Sequence, residues 1–191
     1  MRNIIFLDID GVLNCEKSYK GGYSSYVEFI NKSGQEDFYS KFYPPSKYLI
    51  NKLIEQTNAD IVISSSWRSS GINWMRDIWK RENMKGEIIG VTDSIRCRDI
   101  KIPRGVEIDK WLEDQGYKTI NWSEEIQLNY MKQSNIHNYI IIDDDSDMLY
   151  NQRKHFVHVL DDNTNKRGFS QRHFEKALKT LPKSVIQLNY E

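Results

Sequence analysis

The sequence has few cysteines and no excess of charge of either sign, and each shortage excludes a class of protein. Cys15 and Cys97 are the only cysteines, too few for a disulfide framework and without metal-site spacing, so we expect two thiols. The 27 basic side chains equal the 27 acidic ones, so no overall field draws the chain onto nucleic acid or an anionic membrane. Any polyanion must be recognised locally.

Long hydrophobic runs are also lacking. The apolar run near the N-terminus, Ile4–Leu7, is too short for a signal sequence or a membrane span, so a cytoplasmic location is the default expectation. With 191 residues, 39% of them hydrophobic, and no repeat or low-complexity linker, the sequence predicts one globular domain over residues 1–191. It indicates neither membrane association nor an obligate protein partner.

What the sequence does contain is an alternation of short apolar runs and amphipathic helical patterns. The apolar runs suit strands that are buried on both faces of a parallel sheet. They lie at Ile4–Leu7, Ile61–Ile63, Tyr139–Ile142 and Phe156–Leu160, with a weaker fifth at Glu87–Val91. Helical spacing occupies residues 46–56, 72–83, 107–116 and 169–182. The alternation predicts an α/β fold with a mainly parallel central sheet.

The segment 14–43 departs from this alternation. It is rich in glycine and aromatic residues, has no clean period and directly follows the first predicted strand. Because ligands of α/β sheets bind beyond the carboxyl ends of the strands, a small flap or cap inserted there is expected to lie over the site.

Two carboxylates follow the first strand. Asp8 and Asp10 are spaced by two, which places both side chains on one side of an extended chain, and Gly11 permits a sharp exit that lets a ligand approach the backbone. Carboxylates this close repel each other, which favours a bound divalent cation or one raised pKa. Both suit phosphoryl transfer, in which one carboxylate attacks phosphorus and its neighbour moves protons.

A second acidic cluster follows the strand at Tyr139–Ile142. It contains Asp143, Asp144, Asp145 and Asp147, and oxygen ligands of this kind suit Mg²⁺. The alternative is a solvated acidic turn. The spacing also resembles an EF-hand, but Met148 stands where that loop needs glycine and Lys154 where it needs glutamate.

Three serines and an arginine follow the strand at Ile61–Ile63. Ser64, Ser65 and Ser66, with the backbone amides of a strand-to-helix junction, can hold phosphate oxygens, and Arg68 can add a bidentate contact. Local capping of the strand end is the structural alternative for the serines.

These motifs in this order resemble the haloacid dehalogenase superfamily, from Ile4 to about Leu160. FLDIDGVLN, SSSWR, RGVEIDKWL and IIIDDDSDM are similar to phosphatase-like domains associated with RNA repair and, more distantly, to polynucleotide phosphatases. The resemblance implies a Rossmann-like three-layer sandwich with only a small cap, and a Mg²⁺-dependent phosphatase that forms an aspartyl phosphate.

The resemblance also implies a role for each motif residue. Asp8 is the expected nucleophile and a metal ligand, and Asp10 is the expected acid and base, with its backbone carbonyl on the metal. Asp143 corresponds to the strand-terminal metal ligand, and Asp144 and Asp147 to supporting acids. Ser65 is the favoured phosphate-binding hydroxyl, with Ser64 and Ser66 as alternatives.

One role has no clear counterpart in the sequence, the basic residue that neutralises the phosphate. Arg104, just ahead of a predicted helix, is the best placed, and Lys101 and Lys110 remain open. His137, His155, His158 and His173 lack the spacing of metal ligands or of a serine triad, so we expect structural roles for them.

The absence of a large cap predicts an open site that admits RNA or DNA ends bearing a 3′ or 5′ phosphate, although nucleotides remain possible. Aromatic residues of the flap could stack on bases, or could simply pack the flap. The basic residues that could meet backbone phosphates, or else be solvated, are Arg76, Lys80, Arg81, Arg96 and Arg98. The rival functions are a small-metabolite phosphatase, a receiver-like phosphate-binding module and a catalytically silent scaffold of the same fold.

Overall fold

The computed structural model describes residues 2–16, 26–97, 100–117, 134–160 and 168–181, and its central element is a five-stranded parallel sheet. The strands in chain order are β1 (Arg2–Leu7), β2 (Tyr26–Ile30), β3 (Glu36–Ser40), β4 (Ala59–Ile63), β5 (Ile88–Val91), β6 (Arg96–Cys97), β7 (Ile100–Lys101), β8 (Ile136–Asp143) and β9 (Phe156–His158). The central sheet has the order β5-β4-β1-β8-β9, so the α/β prediction with a mainly parallel sheet is confirmed.

All five predicted apolar runs form strands of this sheet. Ile4–Leu7 lies within the middle strand and is fully buried, as expected for a strand covered on both faces. The strand predicted at Phe156–Leu160 is longer than the observed strand, which ends at His158. The ladder between β8 and β9 ends at the pair Asp143 and His158, and Leu160 beyond it is 41% exposed.

Helices cover both faces of the sheet and give the three layers. They are α1 (Pro44–Thr57), α2 (Ile72–Arg81), α3 (Arg104–Asp114) and α4 (Gln171–Thr180), with 3₁₀ turns at Ser66–Ser70 and Tyr150–Lys154. The larger core contains apolar residues of α1, α2 and α4 packed on Ile5 and Leu7. The smaller core packs α3 on Ile4 and Phe6. Successive residues of β1 therefore alternate between the two cores.

Two helices begin earlier than predicted. α1 starts at Pro44, because a proline in the first turn lacks only an amide that would be unsatisfied anyway. α3 starts at Arg104, so this residue is the first of its helix and not just ahead of it.

Two small antiparallel hairpins lie outside the main sheet. β2 pairs with β3 within the predicted flap, of which residues 17–25, with Tyr19 and Tyr23, fall outside the described part. β6 pairs with β7 in a hairpin that the sequence analysis did not predict. Within the described ranges, no helix combines the length and the apolar character needed to cross a membrane.

Candidate active site

The register of the sheet brings three sequence-distant residues to one level. Leu7 pairs with Ile63 on one side and with Ile142 on the other, so Asp8, Ser64 and Asp143 lie side by side at the carboxyl edge of the sheet. The ladder continues for one more step: the amide of Asp8 donates to Ile142 O at 3.0 Å, and that of Ser64 to Leu7 O at 3.0 Å.

Side-chain alternation then selects the face on which these residues lie. Phe6, Val62 and Ile141 belong to the small core beneath α3, and the residues two positions further along each strand share that face. They are Asp8, Ser64 and Asp143. Arg104, the first residue of α3, therefore lies on the same face of the sheet as the carboxylates.

Arg104 bridges the two buried carboxylates. Its Nη1 lies 3.2 Å from Asp8 Oδ1 and its Nε lies 3.4 Å from Asp143 Oδ2. Burial lowers the pKa of Arg104, but the charges of Asp143 and Asp8 outweigh that effect and raise it overall. The other two basic candidates pair with other carboxylates: Lys101, which is 75% exposed, lies 3.9 Å from Asp145, and Lys110 pairs with Asp93 and Asp114.

Three carboxylates surround one small volume. Ligand oxygens of Asp8, Asp143 and Asp144 all lie within 4.8 Å of one another, and the first two residues are buried. Burial raises the pKa of Asp8, with Arg104 and the Ser65 hydroxyl opposing it. Burial and the charge of Asp8 raise the pKa of Asp143, and the same two causes raise that of Asp144 to about 6. One guanidinium does not neutralise this cluster.

The donor set fits Mg²⁺. Asp143 Oδ2 is buried and has no hydrogen-bond partner among the described residues, and the Arg104 guanidinium lies 3.4 Å away. Carboxylate oxygens converging beside such an unsatisfied atom are the ligands that a hard cation prefers. Asp8, Asp143 and Asp144 could therefore hold the metal expected from the resemblance.

Asp10 lies outside this cluster and is held by a tryptophan. Its exposed carboxylate accepts a hydrogen bond from Trp67 Nε1 at 2.9 Å. Gly11 follows with a φ of +77°, and a Cβ at this position would overlap the carboxyl group of Asp144. The glycine thus allows the chain to turn directly against the acidic cluster.

Asp147 is also outside the cluster. Its Oδ2 accepts a hydrogen bond from the backbone amide of Arg104 at 3.0 Å, at the N-terminus of α3. A carboxylate is favourable there because it accepts from an amide without a helical partner, and because its negative charge lies at the positive end of the helix dipole. In this position Asp147 holds the helix end that carries Arg104, and its role near the metal stays a prediction.

The three serines have different surroundings. The Ser65 hydroxyl interacts with Asp8, lowering its pKa, and also accepts from the amide of Trp67 at 3.4 Å. Ser64 is fully buried, and its hydroxyl has no hydrogen-bond partner among the described residues. Ser66 is more exposed and lines a cavity beside Arg104. Ser65 is therefore the hydroxyl that the structure brings to Asp8.

Arg68, which was predicted as a phosphate ligand, forms an ion pair with a buried glutamate. Its Nη2 lies 2.6 Å from Glu107 Oε2, and its Nη1 donates to Ser64 O at 2.9 Å and to Ser65 O at 3.2 Å. Burial lowers its pKa and the Glu107 charge opposes this. The guanidinium therefore braces the serine loop against α3. Its Nε is buried without a hydrogen-bond partner among the described residues, and the role of Arg68 as a phosphate ligand stays a prediction.

Some aromatic residues of the flap and some basic residues around it are packed against the protein, and others are exposed. Phe29, Tyr39 and Phe42 are buried in the larger core, whereas Tyr26 and Phe38 are 65% and 63% exposed. Of the basic residues considered for phosphate contacts, Arg76 donates to Ile88 O, and Arg81 lies over the Phe29 ring at 4.5 Å. Lys80 is exposed on α2, Arg96 lines the cavity beside Arg104, and Arg98 lies outside the described residues.

Two residues with roles at the site were missed by the sequence analysis. The motif SSSWR predicts no role for Trp67, yet its indole N–H donates to Asp10. Glu107 has no predicted role, although it neutralises Arg68 and its Oε1 accepts from the amide of Ile95 at 2.9 Å. A usable signal existed for Glu107, because it stands one helical turn after Arg104 and so faces the same side of α3.

A comparison with protein families supports the resemblance seen in the motifs. The family model described as the HAD domain in Swiss Army Knife RNA repair proteins matches residues 4–174, which span all the residues of the site. No curated protein and no solved structure matches the chain.

Proposed function

Because the chain belongs to the family of HAD domains in Swiss Army Knife RNA repair proteins, we propose that it is a Mg²⁺-dependent phosphatase that acts on phosphorylated nucleic-acid ends. The observation that carries the proposal is the position of Asp8, which interacts with the Ser65 hydroxyl and Arg104 and lies within 4.8 Å of two further carboxylates. The cation and the hydroxyl suit a phosphate, and the carboxylates suit a metal.

Asp8 is the nucleophile in this proposal. One of its carboxylate oxygens attacks phosphorus, and the bond from phosphorus to the leaving alcohol oxygen breaks, which leaves an aspartyl phosphate. Arg104 and Ser65 hold the non-bridging oxygens, where charge accumulates during transfer. Bound Mg²⁺, held by Asp8, Asp143 and Asp144 with the backbone carbonyl of Asp10, would neutralise charge on the phosphoryl group.

Asp10 moves the protons. In its protonated form it gives a proton to the departing alcohol, and as a carboxylate it then takes one from the attacking water. The water oxygen bonds to phosphorus while the bond to Asp8 breaks, so inorganic phosphate leaves and both aspartates regain their starting forms. The hydrogen bond from Trp67 fixes the direction of the Asp10 carboxylate.

Phosphate release in Mg²⁺ from an aryl phosphate and from oligonucleotides phosphorylated at either end tests the proposal. We expect Asp8→Asn to lower turnover by at least about 10³-fold, because no covalent intermediate can form. Asp60→Asn is the control, since this carboxylate lies on β4 near the opposite edge of the sheet. The absence of turnover on every phosphomonoester in the wild-type protein would favour a phosphate-binding module or a silent scaffold.

The covalent intermediate can be tested separately. Acid quenching of the wild-type protein with a ³²P-labelled substrate should leave label on the protein, and Asp8→Asn should retain none. Label that persists in Asp8→Asn would contradict the assignment of the nucleophile.

A further inference from the structure

A cavity of about 660 Å³ is linked to the proposed nucleophile by Arg104, which lines the cavity and contacts Asp8. Ser66, next to Ser65, also lines it. The remaining wall includes the β6–β7 hairpin, with Arg96, Ile100 and Lys101. This volume is within the range of about 300–1,000 Å³ that holds a small ligand. A group bonded to a phosphate at Asp8 would have room here.

The hairpin places two like charges side by side. Arg96 on β6 and Lys101 on β7 are direct register partners, and both line the cavity. Like charges directly opposite each other on an antiparallel pair are destabilising. A local conflict of this kind is typical of a functional position, where a ligand resolves it.

Other charges near the cavity do not resolve the conflict. Arg68 and Glu107 neutralise each other, and Arg104 is engaged by Asp8 and Asp143. Asp145 is 3.9 Å from Lys101, and the two side chains are 56% and 75% exposed, which makes the pair weak. Within the part of the chain that the structure describes, no carboxylate forms an ion pair with Arg96.

The hairpin is nevertheless anchored to the site. The amide of Ile95, the residue before β6, donates to Glu107 Oε1 at 2.9 Å, and Glu107 is buried on α3, the helix that begins with Arg104. The spacing between the two hairpin cations and the reacting centre is therefore constrained by a short, partly buried connection.

We propose that Arg96 and Lys101 bind a second phosphate of the substrate while the first is attacked by Asp8. The inference rests on the proposed function and adds a substrate class: esters whose leaving group carries another phosphate, above all an internucleotide phosphodiester of a strand. A nucleoside bisphosphate offers the same chemistry. A simple monoester, with one phosphate, leaves the hairpin empty.

The test is the double variant Arg96→Gln/Lys101→Gln, assayed on a phosphorylated oligonucleotide, a nucleoside bisphosphate, a mononucleotide and an aryl phosphate. We expect kcat/KM on the oligonucleotide to fall by about 10-fold or more, and its salt dependence to weaken by about one in log–log slope, because the contact with one phosphate is lost. The values for mononucleotide and aryl phosphate should change by less than about 2-fold, because these substrates do not reach the hairpin.

The matched control is Lys176→Gln/Lys179→Gln, which removes two exposed cations from α4, on the opposite face of the sheet. It lowers the net charge equally, so a similar loss on the oligonucleotide would indicate long-range attraction and overturn the proposed site. The hairpin double variant should unfold at no lower temperature than the wild type, because it removes a like-charged pair.

The bisphosphate separates the two sources of a second phosphate. A loss on both the oligonucleotide and the bisphosphate supports a general second-phosphate site, and a loss on the oligonucleotide alone supports a strand. An unchanged oligonucleotide value with normal aryl phosphate hydrolysis would overturn the inference and leave the phosphatase standing. If the wild type hydrolyses nothing, the phosphatase fails, and fluorescence anisotropy with a labelled phosphorylated oligonucleotide still tests the hairpin: weaker binding by the double variant supports the site and equal binding refutes it.

Discussion

At the scale of single residues, the site shows which roles a sequence reveals and which it hides. Asp8 and Asp143 could be predicted because each directly follows an apolar run, and strand ends of a parallel sheet share one edge. The ion pair that Arg68 forms with Glu107 could not be predicted in the same way. A basic residue after a serine loop suggests a phosphate ligand, but its partner Glu107 is 39 positions away and is brought to it only by the fold.

Trp67 gives a prediction at this scale. Trp67→Phe keeps an aromatic ring but removes the N–H that holds Asp10, so we expect kcat to fall by about 10-fold, the equivalent of about 1.4 kcal/mol in the barrier. KM should change little, because the substrate contacts assigned to Ser65 and Arg104 remain. Steady-state kinetics on an aryl phosphate measures both constants.

Trp74→Phe is the matched control. It also loses an indole N–H, but one that donates to Asp37 in the β2–β3 hairpin at 2.7 Å. Equal losses of kcat in the two variants would show that Trp67 acts through general packing of the aromatic cluster and not through Asp10.

At the scale of elements, α3 is the part that connects the features of the site. Its first residue bridges the carboxylates, its amide end is held by Asp147, and Glu107 one turn later holds both Arg68 and the hairpin. The sequence predicted a helix here but placed its start at residue 107. The difference matters because Arg104, whose guanidinium contacts Asp8 at the sheet edge, is the first residue of this helix.

The buried pair between Arg68 and Glu107 leads to an element-scale prediction. Its side chains are 11% and 5% exposed, so Glu107→Leu leaves an unpaired buried guanidinium and should destabilise the fold by about 3–5 kcal/mol. The double variant Arg68→Met/Glu107→Leu should recover most of that loss, because no charge is then left uncompensated. Urea unfolding measures the free energies.

The exposed pair Lys85 and Glu55 provides the comparison, with both side chains more than half exposed. Glu55→Leu should change the free energy of unfolding by less than about 1 kcal/mol. If Glu107→Leu is as mild as this control, the pair does not brace the serine loop against α3.

At the scale of the whole molecule, the fold was largely predictable and the surface features were not. Burial on both faces makes the central stretches of β1 and β8, Ile4–Leu7 and Tyr139–Ile142, continuously apolar, which is a strong local signal. The β6–β7 hairpin has strands of two residues each, too short for any periodicity to appear. Its two opposed cations become visible only once the register is known.

Metal binding should stabilise the whole molecule. Mg²⁺ at about ten times its dissociation constant would add about 1.4 kcal/mol, or roughly 3–6 °C in the unfolding midpoint of a chain of this size, because it binds only the folded cluster. Thermal unfolding with and without Mg²⁺ measures the shift. We expect Asp143→Asn to lose most of the shift, and Asp60→Asn to retain it. A shift of equal size in both variants would place the bound metal elsewhere.

The central position of β1 also has a consequence for how the chain is made. β1 can pair with β4 once residue 63 has been synthesised, but its other edge waits for β8, which starts at Ile136. At typical rates of synthesis that interval lasts roughly 4–15 s. Throughout it, the nascent chain presents an unpaired, strongly apolar strand edge at Ile4–Leu7, the kind of surface that chaperones cover. Asp8, the nucleophile of the proposed reaction, is thus synthesised well before Arg104 and Asp143, the residues that surround it in the folded protein.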